Sequence, residues 1–271
     1  MFRALVLGAV QGLTEFVPVS SSAHLVLVPF MLGWPIPGLA FDVAVHLGTA
    51  LAVLVYFRRE LGAIVVGAIR AASGRGDERD REMGRLAVLL AVASVPSGLA
   101  GLLLGDFFEE LFKEPETVAL LLLGTAALLF VGEAMYGRRP SGERRGLRGI
   151  GLGDALVVGL LQAVAITPGI SRSGATISAG LVRGLSRDAA ARFSFLLGLP
   201  AILGAGLVEV PDLPPGADTA TILGAAAVAA VIGFLSIAFL LRYLRTRDTR
   251  PFAYYCVLFS ALGLGYALLT D

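Results

Sequence analysis

Six stretches of the chain stay apolar for about twenty residues each: roughly 39–57, 86–104, 117–136, 188–208, 219–241 and 252–270. A helix climbs about 1.5 Å per residue and a bilayer's hydrocarbon core is about 30 Å thick, so each stretch is expected to be one transmembrane helix. Two more stretches, 1–32 and 150–185, are equally apolar but broken near their centres, one at Pro18 and the serines after it, the other at Pro168, Gly169 and the hydroxyl residues that follow. Proline removes an amide and clashes with the preceding turn. Each of these stretches therefore predicts two half-helices joined by a turn.

The placement of charge decides how these elements are threaded. The connecting segments 58–85, 137–148 and 242–250 hold 16 of the 22 basic residues, all of them arginine, whereas 106–116 and 209–218 hold only Lys113 against eight Asp and Glu. Arginine-rich loops stay cytoplasmic, so the acidic segments and Asp271 are expected outside. Six spans alternate correctly only if 1–32 begins and ends outside and 150–185 begins and ends inside. Both broken stretches are thus expected to be re-entrant hairpins.

They also resemble each other. "GAVQGLTEFVPVSSSAH" from Gly8 and "GLLQAVAITPGISRSGAT" from Gly159 share a glycine, a glutamine three residues on, a proline and a serine cluster. The echo continues where "FDVAVHLGTALAVL" from Phe41 aligns with "RFSFLLGLPAILGA" from Arg192. The expected fold is an all-α polytopic membrane protein, a single domain over 1–271. It would contain six transmembrane helices and two re-entrant helical hairpins, arranged as inverted-topology repeats over roughly 1–137 and 150–271. That arrangement puts a site between two broken helices at the bilayer midplane.

Composition agrees, with 56% hydrophobic and 16% charged residues and a mean hydropathy of +0.80. A net charge of +1 gives no hint of a nucleic-acid partner. Glu15 and His24 interrupt the first apolar run, so no cleaved signal peptide is expected. Cys256 has no second cysteine to pair with.

The polar residues of the two breaks carry the chemistry. In the second, Ser171, Ser173 and Thr176 start a half-helix whose free amides and positive dipole end favour an anion such as phosphate. Arg172 adds a planar fork that matches phosphate oxygens two at a time. In the first, Gln11 and Glu15 share a helix face at i, i+4, Ser20, Ser21 and Ser22 are cap candidates, and His24 falls in the following turn. A carboxylate, hydroxyls and an imidazole can bind a hard cation, move protons and attack phosphorus. Ser21 is the preferred nucleophile, with His24 three residues on to take its proton, and His24 itself is the second candidate. The functional atoms of Glu15, Ser21, His24, Ser171, Arg172 and Thr176 are expected within about 12 Å of a common point, the reach of one phosphate and its hydrogen bonds.

Plainer roles compete for several of these residues. Ser20, Ser22 and Ser173 could simply cap helices, and Arg172 and Glu15 could lock the tips as an ion pair. His46 has no adjacent acid or hydroxyl motif and reads as a helix contact. Asp42, Glu133 and Asp154 read as interfacial or capping groups, and Arg183, Arg187 and Arg192 follow from positive-inside placement.

"QGLTEFVPVSSSAH" (11–24) together with "PGISRSGAT" (168–176) closely resembles the undecaprenyl-diphosphate phosphatase family, also known for bacitracin resistance, along essentially the whole chain. The resemblance implies a bacterial inner-membrane enzyme that removes one phosphate from a polyprenyl diphosphate and so recycles a cell-wall lipid carrier; the charge placement adds that its site opens to the outer face. It implies catalytic roles for Glu15, Ser21, His24 and Arg172, and a phosphate clamp of Ser171, Arg172, Ser173 and Thr176. It also implies a divalent cation, Mg²⁺ or Ca²⁺, with Glu15 and Gln11 as its ligands, and a homodimer. Gln11 departs from the family's paired-glutamate motif, which weakens any mechanism needing two carboxylates on the metal. A transporter or flippase for a lipid phosphate or other anion, built on the same midplane site, is the alternative.

Overall fold

The structure is a computed structural model that describes residues 1–209 and 219–270. Eleven α-helices are present among the described residues: α1 (Phe2–Phe16), α2 (Ser21–Leu32), α3 (Leu39–Tyr56), α4 (Arg58–Ala72), α5 (Glu78–Phe112), α6 (Pro115–Gly137), α7 (Leu152–Val164), α8 (Arg172–Val182), α9 (Arg187–Glu209), α10 (Thr219–Leu244) and α11 (Arg250–Thr270). Five are long and apolar enough to cross a membrane, and α3 joined to α4 across a 76° bend makes a sixth. The chain is a polytopic helical membrane protein.

The two broken stretches appear as α1–α2 and α7–α8, and their breaks close in matching ways. Ser20 caps α2 by accepting from the Ala23 amide at 3.4 Å, and Ser171 caps α8 by accepting from the Gly174 amide at 3.0 Å. The capping hydroxyl meets the one two residues on in both, Ser20 with Ser22 at 3.0 Å and Ser171 with Ser173 at 3.2 Å. Gly169 has φ +88°, and a Cβ there would stand 2.6 Å from the Val118 carbonyl oxygen, so only glycine fits the second turn. Leading into the breaks, Gly8 and Gly159 each press their backbone against a carbonyl oxygen, of Ala225 on α10 and of Ala93 on α5 respectively. Small residues allow helices this close an approach.

Each hairpin also brings its own ends together. Asp154, at the start of α7, accepts from Arg183 at the end of α8 at 2.8 Å and from Arg145 at 2.6 Å. Arg3, at the start of α1, lies over the Trp34 ring beyond α2, 5.5 Å from its centroid. The arginine-rich segments meet at a single rim. Arg85 donates to the Ile150 carbonyl, Arg187 to Glu133 at 2.5 Å and Arg192 to Glu60 at 2.6 Å, while the Thr249 amide donates to Glu133 at 2.9 Å. The bonds thereby tie together α4, α5, α6, α9 and the segments that lead into α7 and α11. Asp154 caps α7 by accepting from the Gly151 amide at 2.9 Å, as expected, and with Glu133, Arg183, Arg187 and Arg192 it also forms the ion pairs of this rim.

Some expectations change. Segment 58–85 is no simple loop, because α4 and the start of α5 occupy most of it. Arginine, glutamate and alanine favour helix, while Arg58, Arg59, Glu60 and Arg70 interrupt the apolar run of α4, and Gly67 lets α4 sit against α5, where a Cβ would be 2.6 Å from that of Met83. The acidic segment 106–116 is likewise mostly helical, as the end of α5 and the start of α6. Most of 209–218, and Asp271, lie outside the described residues.

Asp154 is nearly fully buried and holds two arginines plus the Gly151 amide at 2.9 Å. Asp154→Ala should therefore cost about 1.5–3 kcal/mol, the usual worth of hydrogen bonds to a charged group. A clear fall in the thermal midpoint of the detergent-purified protein is the expected observation. An unchanged midpoint would mean that the rim does not depend on this cluster.

Candidate active site

The breaks of α1–α2 and α7–α8 touch. The Gly169 amide donates to Ser22 Oγ at 3.3 Å across the gap. Behind the second break, Thr125 on α6 donates to the Gly169 carbonyl at 2.8 Å and accepts from the Ser171 amide at 2.7 Å, so the turn is pinned from the core side.

At the junction Glu15, with only 6% of its side chain exposed, is the centre of a polar cluster. One turn before it on α1, Gln11 donates Nε2–H to Oε2 at 3.1 Å. Ser21, the first residue of α2, donates its hydroxyl to the same oxygen at 2.5 Å. Arg172, the first residue of α8, donates Nη2–H to Oε1 at 2.7 Å. His46 on α3 stands with Nε2 3.7 Å from Oε2. A buried carboxylate without a partner would be strongly disfavoured, and here the guanidinium and two neutral donors hold it ionised.

Two buried polar atoms of the cluster remain without partners, Gln11 Oε1 and Arg172 Nη1. The second is explained by α9. A Cβ at Gly198 would fall on top of the Arg172 guanidinium, so the bare backbone of Gly198 is the bed on which that group lies. The donor that it leaves unused is suited to an oxyanion oxygen.

His24 is turned elsewhere. Its Nδ1 lies 2.7 Å from the Ser20 carbonyl, which can only accept, so Nδ1 carries the proton and Nε2 accepts from the Tyr255 hydroxyl at 2.8 Å. The ring stacks on Phe259 of α11, with centroids 4.3 Å apart. The expected Ser21–His24 proton transfer has no hydrogen bond to follow. Ser20, at φ +70°, turns the chain so that Ser21 faces α1 while His24 faces α11. The proton acceptor that Ser21 touches is Glu15. The Glu15–Arg172 pair, first set against a functional reading, sits inside the cluster.

The remaining clamp residues are placed differently from Arg172. Ser171 and Ser173 bond each other and the start of α8, and Thr176 donates back to the Arg172 carbonyl at 2.7 Å and meets Ser194 Oγ on α9 at 2.6 Å. These contacts brace the helix that carries Arg172. His46, Gly198 and Tyr255 were not singled out as site residues. Only His46 left a trace in the sequence, as an imidazole inside a transmembrane segment. Among the described residues no three His, Cys, Asp or Glu side chains converge as a metal cage.

A hydroxyl held by a carboxylate is a potential nucleophile, and an adjacent guanidinium with a spare donor is an oxyanion clamp. Fold and site together define a polytopic membrane protein with a carboxylate, a hydroxyl and a guanidinium gathered where its two broken stretches meet. A family model described as Bacitracin resistance protein BacA matches residues 4–262, and the chain belongs to that family. Proteins named undecaprenyl-diphosphatase are similar to it along nearly their whole lengths. That of Thermomicrobium roseum is 46% identical over 278 residues, covering 100% of this chain and 98% of the relative. That of Pelotomaculum thermopropionicum is 44% identical over 256 residues, covering 94% and 92%. That of Alcanivorax borkumensis is 45% identical over 271 residues, covering 99% and 97%.

Proposed function

We propose that this protein is an undecaprenyl-diphosphatase that cleaves the terminal phosphate from the lipid diphosphate, giving the monophosphate and inorganic phosphate. The observation that carries this reading is the Ser21 hydroxyl 2.5 Å from Glu15, beside an arginine with a free buried donor. A carrier of lipid phosphate would need the arginine, but it gives the Ser21–Glu15 pair nothing to do.

In the first half of the reaction Arg172 holds oxygens of the terminal phosphate. Ser21 Oγ attacks phosphorus as its proton passes to Glu15, and the bridging P–O bond breaks with its electron pair leaving on the lipid monophosphate. In the second half water attacks the phosphoserine, and Glu15 returns a proton to Ser21 Oγ. His24 acts by positioning, since its bond to the Ser20 carbonyl holds the turn that aims Ser21. A divalent cation fits as a companion of the substrate. Mg²⁺ commonly binds one or two carboxylates together with substrate phosphates, Glu15 and the unpartnered Gln11 Oε1 are the oxygens available to hold it, and it would offset charge on the diphosphate.

The two hairpins are re-entrant and belong to inverted-topology repeats. The matching serine caps, the paired Gly8 and Gly159 contacts, and the way each hairpin's ends meet all support this. Positive-inside placement puts the arginine rim in the cytoplasm and opens the site to the outer face of the inner membrane.

Two measurements test these readings. The detergent-purified protein, given a prenyl diphosphate and Mg²⁺, should release inorganic phosphate and lose that activity to a chelator. Transport of the lipid phosphate without any phosphate release would overturn the enzymatic reading, and chelator-insensitive release would remove the cation. In intact cells, a membrane-impermeant thiol reagent should label a cysteine placed in 106–114 but reach one in 138–146 only after the membrane is broken. The opposite pattern inverts the orientation.

A further inference from the structure

Among the described residues Ser20 alone, glycines aside, has a positive φ, +70°. Serine keeps such a conformation only where its surroundings impose it, and this turn is what aims Ser21 at Glu15. The Ser20 carbonyl oxygen is gripped by His24, whose backbone amide donates to it at 3.3 Å and whose Nδ1 lies 2.7 Å from it. An imidazole holds nothing by itself, because its ring torsion is loosely set and rotation would swing Nδ1 away. What blocks that rotation comes from α11. The Tyr255 hydroxyl meets the opposite ring nitrogen, Nε2, at 2.8 Å, and the restraint holds for either direction of donation. The Phe259 ring lies parallel to the imidazole, 5° from its plane with centroids 4.3 Å apart. Tyr255 and Phe259 are four residues apart and so share one face of α11.

α11 is in turn a fixed support. Ser260 donates to the Ala119 carbonyl of α6 at 2.6 Å, and Gly263 lies against the same residue, where a Cβ would stand 3.3 Å from that of Ala119. Further along α6, Thr125 pins the second break through the Gly169 carbonyl and the Ser171 amide. Both breaks are therefore held in register by one helix. The turn that carries Arg172 is fixed to α6 directly, and the turn that carries Ser21 is fixed to it through α11 and His24.

We propose that Tyr255 is a positioning residue for the reaction, which through His24 sets the Ser20 turn and so the place of Ser21 Oγ relative to Arg172. The inference rests on the reading of Ser21 as the attacking group. The Tyr255 hydroxyl bonds His24 and none of Glu15, Ser21 and Arg172, so the imidazole is its only route to the reacting atoms.

The detergent-purified full chain, assayed for phosphate release from a prenyl diphosphate, tests this with Tyr255→Phe, which removes the hydroxyl and keeps the ring. A misplacement of about 1 Å can cost about 10²-fold, and a ring freed at one end moves less than that, so kcat should fall about five- to twentyfold with KM little changed. The chain has two histidines. In protein labelled with ¹⁵N-histidine, the His24 Nε2 resonance should shift in Tyr255→Phe while those of His46 stay in place. In a His24→Ala background the same substitution should cost almost nothing more, because the ring on which it acts is gone. A wild-type kcat in Tyr255→Phe would overturn the inference, as would a loss confined to KM or an unmoved Nε2 resonance. An undiminished loss in the His24→Ala background would mean that the hydroxyl acts on some other group. Full activity in Ser21→Ala would overturn the underlying reading of Ser21, a result separate from all of these.

Discussion

Glu15→Gln is expected to lower phosphate release by about 10²–10⁴-fold, the range lost when a positioned general base is removed. Two consequences of the geometry meet in this substitution. The acceptor of the Ser21 proton, 2.5 Å away, becomes an amide that binds protons poorly. The Arg172 guanidinium, 2.7 Å away, loses the charge that balances it. Ser21→Ala should be similarly severe. Because the two groups act as a unit, the double substitution should be hardly worse than either alone. Rates of phosphate release, with thermal midpoints to confirm folding, check this. A Glu15→Gln enzyme within a few-fold of wild type would mean that the Ser21 proton goes elsewhere.

The hydrophobic pattern made much of the architecture legible, because runs that must cross a bilayer have a length fixed by its thickness. Pro18 and Pro168 mark the breaks for an equally local reason, a missing amide. An unbroken apolar run stops, however, at Arg58, Arg59 and Glu60, and so 58–85 reads as a loop although α4 fills much of it. At the site the same division holds. Gln11 and Glu15 share a face by helical spacing alone, and Arg172 advertises itself as a charge within an apolar stretch. The direction in which Ser21 points depends on the backbone at Ser20, whose positive φ no serine announces. His24 meets Tyr255 across 231 residues, and that contact has no local signature. His46 looks unaccompanied in the sequence because its acid lies on another helix.

Gly198 gives the second large effect, and it tests the guanidinium without altering its chemistry. A methyl group on Gly198 would occupy the space of the Arg172 guanidinium, which lies among α8, α9 and Glu15 with little room to retreat. Gly198→Ala should push the group off its bed, and misplacing a catalytic group by about 1 Å can cost about 10²-fold in rate. Gly204, six residues further along α9, is the control, because a Cβ there meets nothing within 4 Å and Gly204→Ala should be near wild type. Arg172→Lys keeps the charge but loses the planar two-pronged contact, so it too should lose most activity. If both substitutions act through the position of one group, their combined effect should fall well short of the product of the separate losses. The kcat/KM values of the two single variants and the double variant decide the matter. A Gly198→Ala enzyme at wild-type rate would mean that the guanidinium can do its work from another place. Strictly multiplicative losses would mean that Gly198 acts on something other than Arg172.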